Sequence, residues 1–254
     1  MAEWNDPRTT GVNTAATVGV PRAARDVGLR SYMLSVYNYM ASGVLLTGIV
    51  SMLVANSSLI NLVRNPETGQ PTLLPILAMI VAFGLGVWLQ RGIYNMATGT
   101  AKMLFWAYAG LLGFAFSTLF LAYTPVSIAQ TFFATAAAYM ALSLWGYTTK
   151  KDLSGWGSFL IMGVVGVFVG LMINIGITIF TGQPSTTLDL LVSAIGVLVF
   201  AGLTAYDTQV IKSIYFAVGN GEMAVKSAIL GAFRLYLDFV NMFLFLLRFM
   251  GNRR

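Results

Sequence analysis

Two aspartates, Asp207 and Asp238, lie inside long apolar runs of a 254-residue chain, where an unpaired charge costs several kcal/mol or more. The run holding Asp238 also carries Arg234, Asn241, Phe245 and Arg248, in 4, 3, 4 and 3 spacing. That spacing lines all five residues along one face of a helix. Four of the five are polar, so this face does not suit lipid. The helix that bears it is expected in the interior of a bundle, its stripe toward a partner helix or a wet cavity. The run holding Asp207, with Tyr206, Thr208 and Gln209 beside it, is the natural partner. Two carboxylates within hydrogen-bonding distance in a low-dielectric site do not both ionise easily. They share a proton and titrate together, which is the chemistry of a pH sensor.

The same residues allow a second arrangement. Arg234 stands four positions before Asp238 and can neutralise it within one helix, as a buried ion pair that only sets packing. It can equally modulate the carboxylate pair. Depth also matters: Asp207 lies five residues before Lys212, and Asp238 twelve after Lys226. If both lysines mark one membrane surface, the carboxylates stand about 10 Å apart in depth, a gap that helix tilt or lysine snorkelling closes.

The elements that must hold these groups are membrane helices. Apolar residues make up 57% of the chain and charged residues only 9%, against about a quarter charged in a soluble domain. Seven spans are expected, near 33–55, 72–90, 103–123, 126–147, 156–180, 188–211 and 224–247, each close to the ~20 residues that cross a bilayer. Residues 1–30 read as a polar cytoplasmic tail without a signal-peptide core, residues 31–250 as one seven-helix domain, and 251–254 as a short C-terminal tail. Pro71, Pro125 and Pro184 punctuate span starts, where a missing N–H is harmless.

With the N-terminus in the cytoplasm, Arg8, Arg22, Arg25, Arg30, Arg91, Lys102, Lys150, Lys151, Lys212 and Lys226 fall inside, and Arg64, Arg248, Arg253 and Arg254 outside, in keeping with the positive-inside bias. A re-entrant last segment would return the C-terminal arginines to the cytoplasm, but 224–247 is long enough to cross. The tetrapeptide TGQP occurs at Thr68–Pro71 and again at Thr181–Pro184, which is either shared turn chemistry or a trace of duplication. Gly166 and Gly170, four residues apart, form a GxxxG in the fifth span with Gly163 one turn earlier, which predicts close helix packing.

Several function classes are excluded. The chain has no Cys and no His, so thiolate chemistry, disulfides and the commonest metal ligand are absent. No hydrolytic constellation can be assembled, and the expectation is a non-enzymatic protein without a cofactor. The last span has no mid-helix lysine for a retinal Schiff base. The basic residues are scattered between spans and form no nucleic-acid footprint.

The segments FAGLTAYDTQVIKSIY (Phe200–Tyr215) and LYLDFVNMFLFLLRFMG (Leu235–Gly251) closely resemble the last two helices of the Bax inhibitor 1, or transmembrane Bax inhibitor motif, family. TAKMLFWAYAGLLGFAFS (Thr100–Ser117) extends the resemblance toward the first spans. It implies a seven-helix fold with the C-terminal helix at its centre, in which a di-aspartyl pair latches a calcium leak pathway in a pH-dependent way. Asp207 and Asp238 match those two aspartates by motif, and Asn241 and Arg248 match the last-helix pattern. Arg234 departs from it, since a small or neutral polar residue is expected before LYLDF. The reading that follows is a pH-sensitive leak for calcium or another cation in a bacterial inner (plasma) membrane, with Asp207 and Asp238 as gate, a transient calcium site between them and Asn241, and Tyr206, Arg234 and Arg248 in support. The alternative implied by bacterial relatives is a non-transporting scaffold that modulates a membrane protease or other membrane proteins through its basic tail.

Overall fold

The structure, a computed structural model, describes residues 22–70, 72–219 and 221–253, with side chains from residue 27 onward. Among these residues every regular element is a helix: α1 (Arg22–Ala55), α2 (Ile60–Val63), α3 (Leu74–Gly92), α4 (Thr98–Phe116), α5 (Leu119–Ala122), α6 (Pro125–Thr148), α7 (Trp156–Thr181), α8 (Thr186–Val218) and α9 (Glu222–Met250). Seven of them are long and apolar enough to cross a membrane, α4 and α5 together forming one span. This is the expected number.

Local chemistry explains most boundaries. Thr124 caps α6 by accepting a hydrogen bond from the Ser127 amide, and Pro125 follows in the first turn. Ser185 caps α8 in the same way through the Leu188 amide, one residue after Pro184. Pro75 occupies the first turn of α3, and Pro71 lies outside the described residues. The third span, expected to be continuous, breaks between α4 and α5. Ser117 and Thr118 are adjacent hydroxyls that donate to Phe114 O and Ala115 O, competing with the helical ladder where it is interrupted. Both TGQP copies place their glycine in the left-handed region, with φ +70° at Gly69 and +78° at Gly182. Shared turn chemistry therefore accounts for the repeat.

Helix α1 begins at Arg22, ahead of the predicted 33, so residues 22–30 continue a helix. The rest of the expected tail, with Trp4 and Arg8, lies outside the described residues. Helix α8 likewise runs on to Val218, past the predicted 211.

Helix α9 occupies the centre, as the polar stripe requires. In its most apolar stretch 67% of residues are buried, while no other span exceeds 39%. It packs on α8, α1, α6 and α4. Helices α3 and α7 stand outside that ring, α3 on α4 and α7 on α8. The α7 contact uses Gly163 and Gly170, where an added Cβ would lie 2.7 Å and 2.6 Å from Val199 and Val192 of α8, whereas Gly166 meets open space. The packing glycines are thus seven residues apart, two helical turns, and not the expected four.

The two ends of α9 lie at opposite faces of the bundle. Near its start, Thr98 at the head of α4 donates to Glu222 (3.1 Å), and Lys226 pairs with Glu222 (3.1 Å) and reaches Tyr94 O. Past its end, the Thr124 amide donates to Asn252 O, and the Asn252 amide to Ser127 Oγ (2.8 Å). Arg253 pairs with Asp189 in the first turn of α8 at 2.8 Å. The last segment is therefore one continuous helix that runs from one end of the bundle to the other, long enough to cross, and not a re-entrant hairpin. Its final residues are fastened to α6 and α8.

Candidate functional site

Four consecutive side chains of α8 leave the helix about 100° apart and serve four neighbours. Tyr206 lies against α7, its hydroxyl 2.6 Å from where a Cβ on Gly157 would stand. Asp207, half-buried, faces the charged groups of α9. Thr208 is hydrogen-bonded to Ser143 of α6 (2.9 Å). Gln209 accepts from the Leu153 amide and donates to Lys151 O, each at 2.8 Å, which pins the α6–α7 connection. Only Asp207 points into the charged centre. Tyr206, expected beside it, is instead a packing residue between α7 and α8.

Asp238 is 4% exposed, and its Oδ2 has no hydrogen-bond partner. The charged groups that act on it through space are Asp207 of α8 and Arg234, one turn earlier on α9. Arg234 acts on Asp207 as well. The only ion pairs within 4 Å among the described residues are Lys226–Glu222 and Arg253–Asp189. Arg234 thus sits near both carboxylates without a direct bridge to either, and the in-helix Arg234–Asp238 pair does not form. The depth gap anticipated from the lysines closes for a structural reason. Lys212 is not at the end of its helix: α8 continues to Val218 while Lys212 Nζ donates to Tyr147 O.

The remaining members of the α9 stripe are accounted for locally. Asn241 donates to Leu237 O (2.8 Å) in its own helix. Phe245 stacks on Phe200 of α8 with centroids 5.8 Å apart and lies on Gly196, where any Cβ would collide with its ring. Arg248 covers the Phe245 ring. The stripe therefore faces α8, its expected partner.

A third helix completes the site, and its contribution was not anticipated. Ser127, Thr131, Thr135, Tyr139 and Ser143 recur every four residues along α6 and are all buried. Tyr139 is 4% exposed, its hydroxyl has no partner, and both aspartates act on it through space. Its ring meets Phe239 edge-on at 5.5 Å. Nearby, Tyr37 of α1 shares a 2.7 Å hydrogen bond with Ser143, and Thr208 donates to Thr204 O (2.7 Å). One proton per hydroxyl then sets the direction: Tyr37 donates to Ser143, Ser143 to Thr208, and Thr208 to the α8 backbone. A hydroxyl chain thus runs from α1 through α6 to the residue beside Asp207. The i, i+4 recurrence of hydroxyl-bearing residues was the signal in the sequence. Where α6 meets α8, Gly146 lies directly against Ala205, and a Cβ there would collide with the Ala205 carbonyl oxygen.

The bundle and its centre define an integral membrane protein of seven spans with a central carboxylate on each of its last two helices, Asp238 buried and Asp207 half-buried. The chain belongs to the Bax inhibitor-1 family: residues 29–254 match the family described as inhibitor of apoptosis-promoting Bax1. It is 41% identical over 236 residues to the inner membrane protein YbhL of Escherichia coli K12, covering 92% of this chain and 95% of that one. An uncharacterized protein of Rickettsia prowazekii is 44% identical over 229 residues (90% and 92%), and one of Caulobacter vibrioides 40% over 234 residues (90% and 91%).

Proposed function

We propose that this protein is a pH-gated cation leak, with calcium as the leading substrate, in a bacterial inner membrane, its N-terminus on the cytoplasmic side. The observation that carries the reading is the Asp238 carboxylate: buried at the centre of the bundle, one oxygen unpartnered, opposed by Asp207 on the neighbouring helix and not bridged by Arg234. A charge so placed is costly and calls for a functional reason. When the pair keeps one proton, only one negative charge remains and α8 and α9 stay together. When both are charged, repulsion favours separation, and flux rises with pH.

A cation passing between the helices would meet two carboxylates as ligands. Calcium takes six to eight oxygens, and no cluster of three or more acidic residues occurs among the described residues, so water completes the shell and binding is transient. Such a site suits passage and not storage. Inner-membrane placement is supported by the printed name of the E. coli relative, and cytoplasmic placement of the N-terminus by the distribution of lysine and arginine. Without Cys or His the reading is non-enzymatic and needs no cofactor.

The test is calcium flux from proteoliposomes containing the purified protein, across an external series from pH 6 to 8. Flux that increases with pH supports the leak. Absence of flux at every pH in folded protein rejects it and leaves the scaffold reading, in which other membrane proteins are the partners.

A further inference from the structure

Helix α1 packs on α4 and α9, and α6 packs on α8 and α9, but α1 and α6 do not pack along each other. Between them a cavity of about 860 Å³ opens sideways. Its walls are residues such as Met33 and Ala41 of α1 and Ala136 and Met140 of α6, and Phe239 of α9 forms its floor. A second cavity of about 320 Å³ shares Val44, Phe132 and Phe239 with the first and continues to Pro125 at the start of α6. Together they form one groove along α1, from Arg30 to Met52. At 1.5 Å per residue that span is about 33 Å, the depth of both leaflets' hydrocarbon, so an acyl chain entering beside Arg30 fills the half of the groove nearer that residue.

The character of the groove is uneven in a way that names its occupant. Its length is apolar, while Arg30 stands exposed at one end, beside Tyr147 in the last turn of α6. No ion pair engages Arg30 among the described residues. One polar crossing interrupts the groove, the Tyr37–Ser143 hydrogen bond that ties α1 to α6. An extended hydrocarbon chain, much narrower than a helix about 10 Å across, suits a groove that is crossed by that tie.

We infer that the α1–α6 groove is a binding site for one anionic membrane lipid, its acyl chain lying between the helices and its phosphate against Arg30. Arg suits that headgroup because its guanidinium offers a fork of donors to phosphate oxygens. The groove also passes Tyr139 and Ser143, so the lipid would contact the same α6 face that meets the carboxylate pair. The site stands whether or not the chain conducts ions.

The experiment is native mass spectrometry of the purified, delipidated protein in neutral detergent, titrated with phosphatidylglycerol and, separately, with zwitterionic phosphatidylcholine. The native protein is expected to retain one phosphatidylglycerol about tenfold more tightly than phosphatidylcholine. Arg30→Gln should abolish that preference, weakening phosphatidylglycerol more than phosphatidylcholine, because both carry the phosphate but only phosphatidylcholine adds a choline cation that the Arg30 charge opposes. Ala136→Trp, which fills the groove, should lose both lipids. Met140→Trp at the rim serves if the first variant does not fold, as judged by thermal unfolding. Leu53→Trp, on the outward face of α1, should bind as the native protein does. Equal retention by the native and groove-filled proteins would mean annular lipid only and would overturn the site, as would an equal loss in Leu53→Trp. An unchanged headgroup preference in Arg30→Gln would overturn the assignment of the phosphate.

Discussion

Replacing Asp238 by Asn removes one of the two charges at the centre of the bundle while keeping the size and planarity of the side chain. For carboxylates meeting across a helix contact at about 5 Å, with an effective dielectric of about 20, two unit charges repel by about 3 kcal/mol. At 1.4 kcal/mol per tenfold, that corresponds to about a hundredfold in the closed-to-open equilibrium. Arg234 forms no direct bridge that would cancel the term, and the 4% exposure of Asp238 leaves little solvent to screen it. The native protein should therefore show calcium flux that climbs by up to about two orders of magnitude as pH rises and the pair loses its last proton. In Asp238→Asn only one carboxylate can charge, so the repulsion never develops. Flux should stay at its low-pH level, within about twofold, from pH 6 to 8. Asp207→Asn should behave alike, and the double variant should be no more impaired than either single one, because both substitutions remove the same interaction. The assay is calcium entry into dye-loaded proteoliposomes with matched protein content. An Asp238→Asn protein that keeps the native pH profile would refute the reasoning.

Three further outcomes follow from packing and hydrogen bonding. Gly146→Ala forces a methyl group against the backbone of Ala205, which cannot yield as a side chain would; destabilisation of about 1–3 kcal/mol should appear as a lowered thermal midpoint in detergent. Tyr236→Phe removes the hydroxyl that joins Thr47 at 2.7 Å but leaves Thr47 free to donate to Ala109 O, so the loss should be only about 0.5–1.5 kcal/mol by the same measurement. Arg253→Gln deletes the contact with Asp189, whose partners are 57% and 20% exposed. The stability change should be under about 1 kcal/mol and shrink further in high salt, while amide exchange at Asn252 speeds up at the released C-terminus.

Much of the fold was legible in the chain because membrane helices are specified locally. Seven apolar stretches of spanning length, with Pro125 and Pro184 marking span starts, need no knowledge of their neighbours. The centrality of α9 was legible too, since a polar stripe on one face of a span rules out lipid there. Less legible was where helices bend or end. The break at Ser117–Thr118 and the extension of α8 beyond Lys212 depend on side chains bonding to particular carbonyls, which hydropathy does not register.

What the sequence by itself determined was the class of protein, the number of spans and the two carboxylates, because composition and helical spacing are properties of a single segment. What only the tertiary structure decided was which groups surround them. Arg234 is one turn from Asp238 in every helical reading, yet it makes no bridge. Tyr206 adjoins Asp207 in the chain, yet turns to α7, while Tyr139, far from both in sequence, comes within electrostatic reach of the pair. Spacing sets the direction in which a side chain leaves its own helix, but the rotation and depth of neighbouring helices, set here by contacts such as Gly146 on Ala205 and Gly196 on Phe245, decide what it meets.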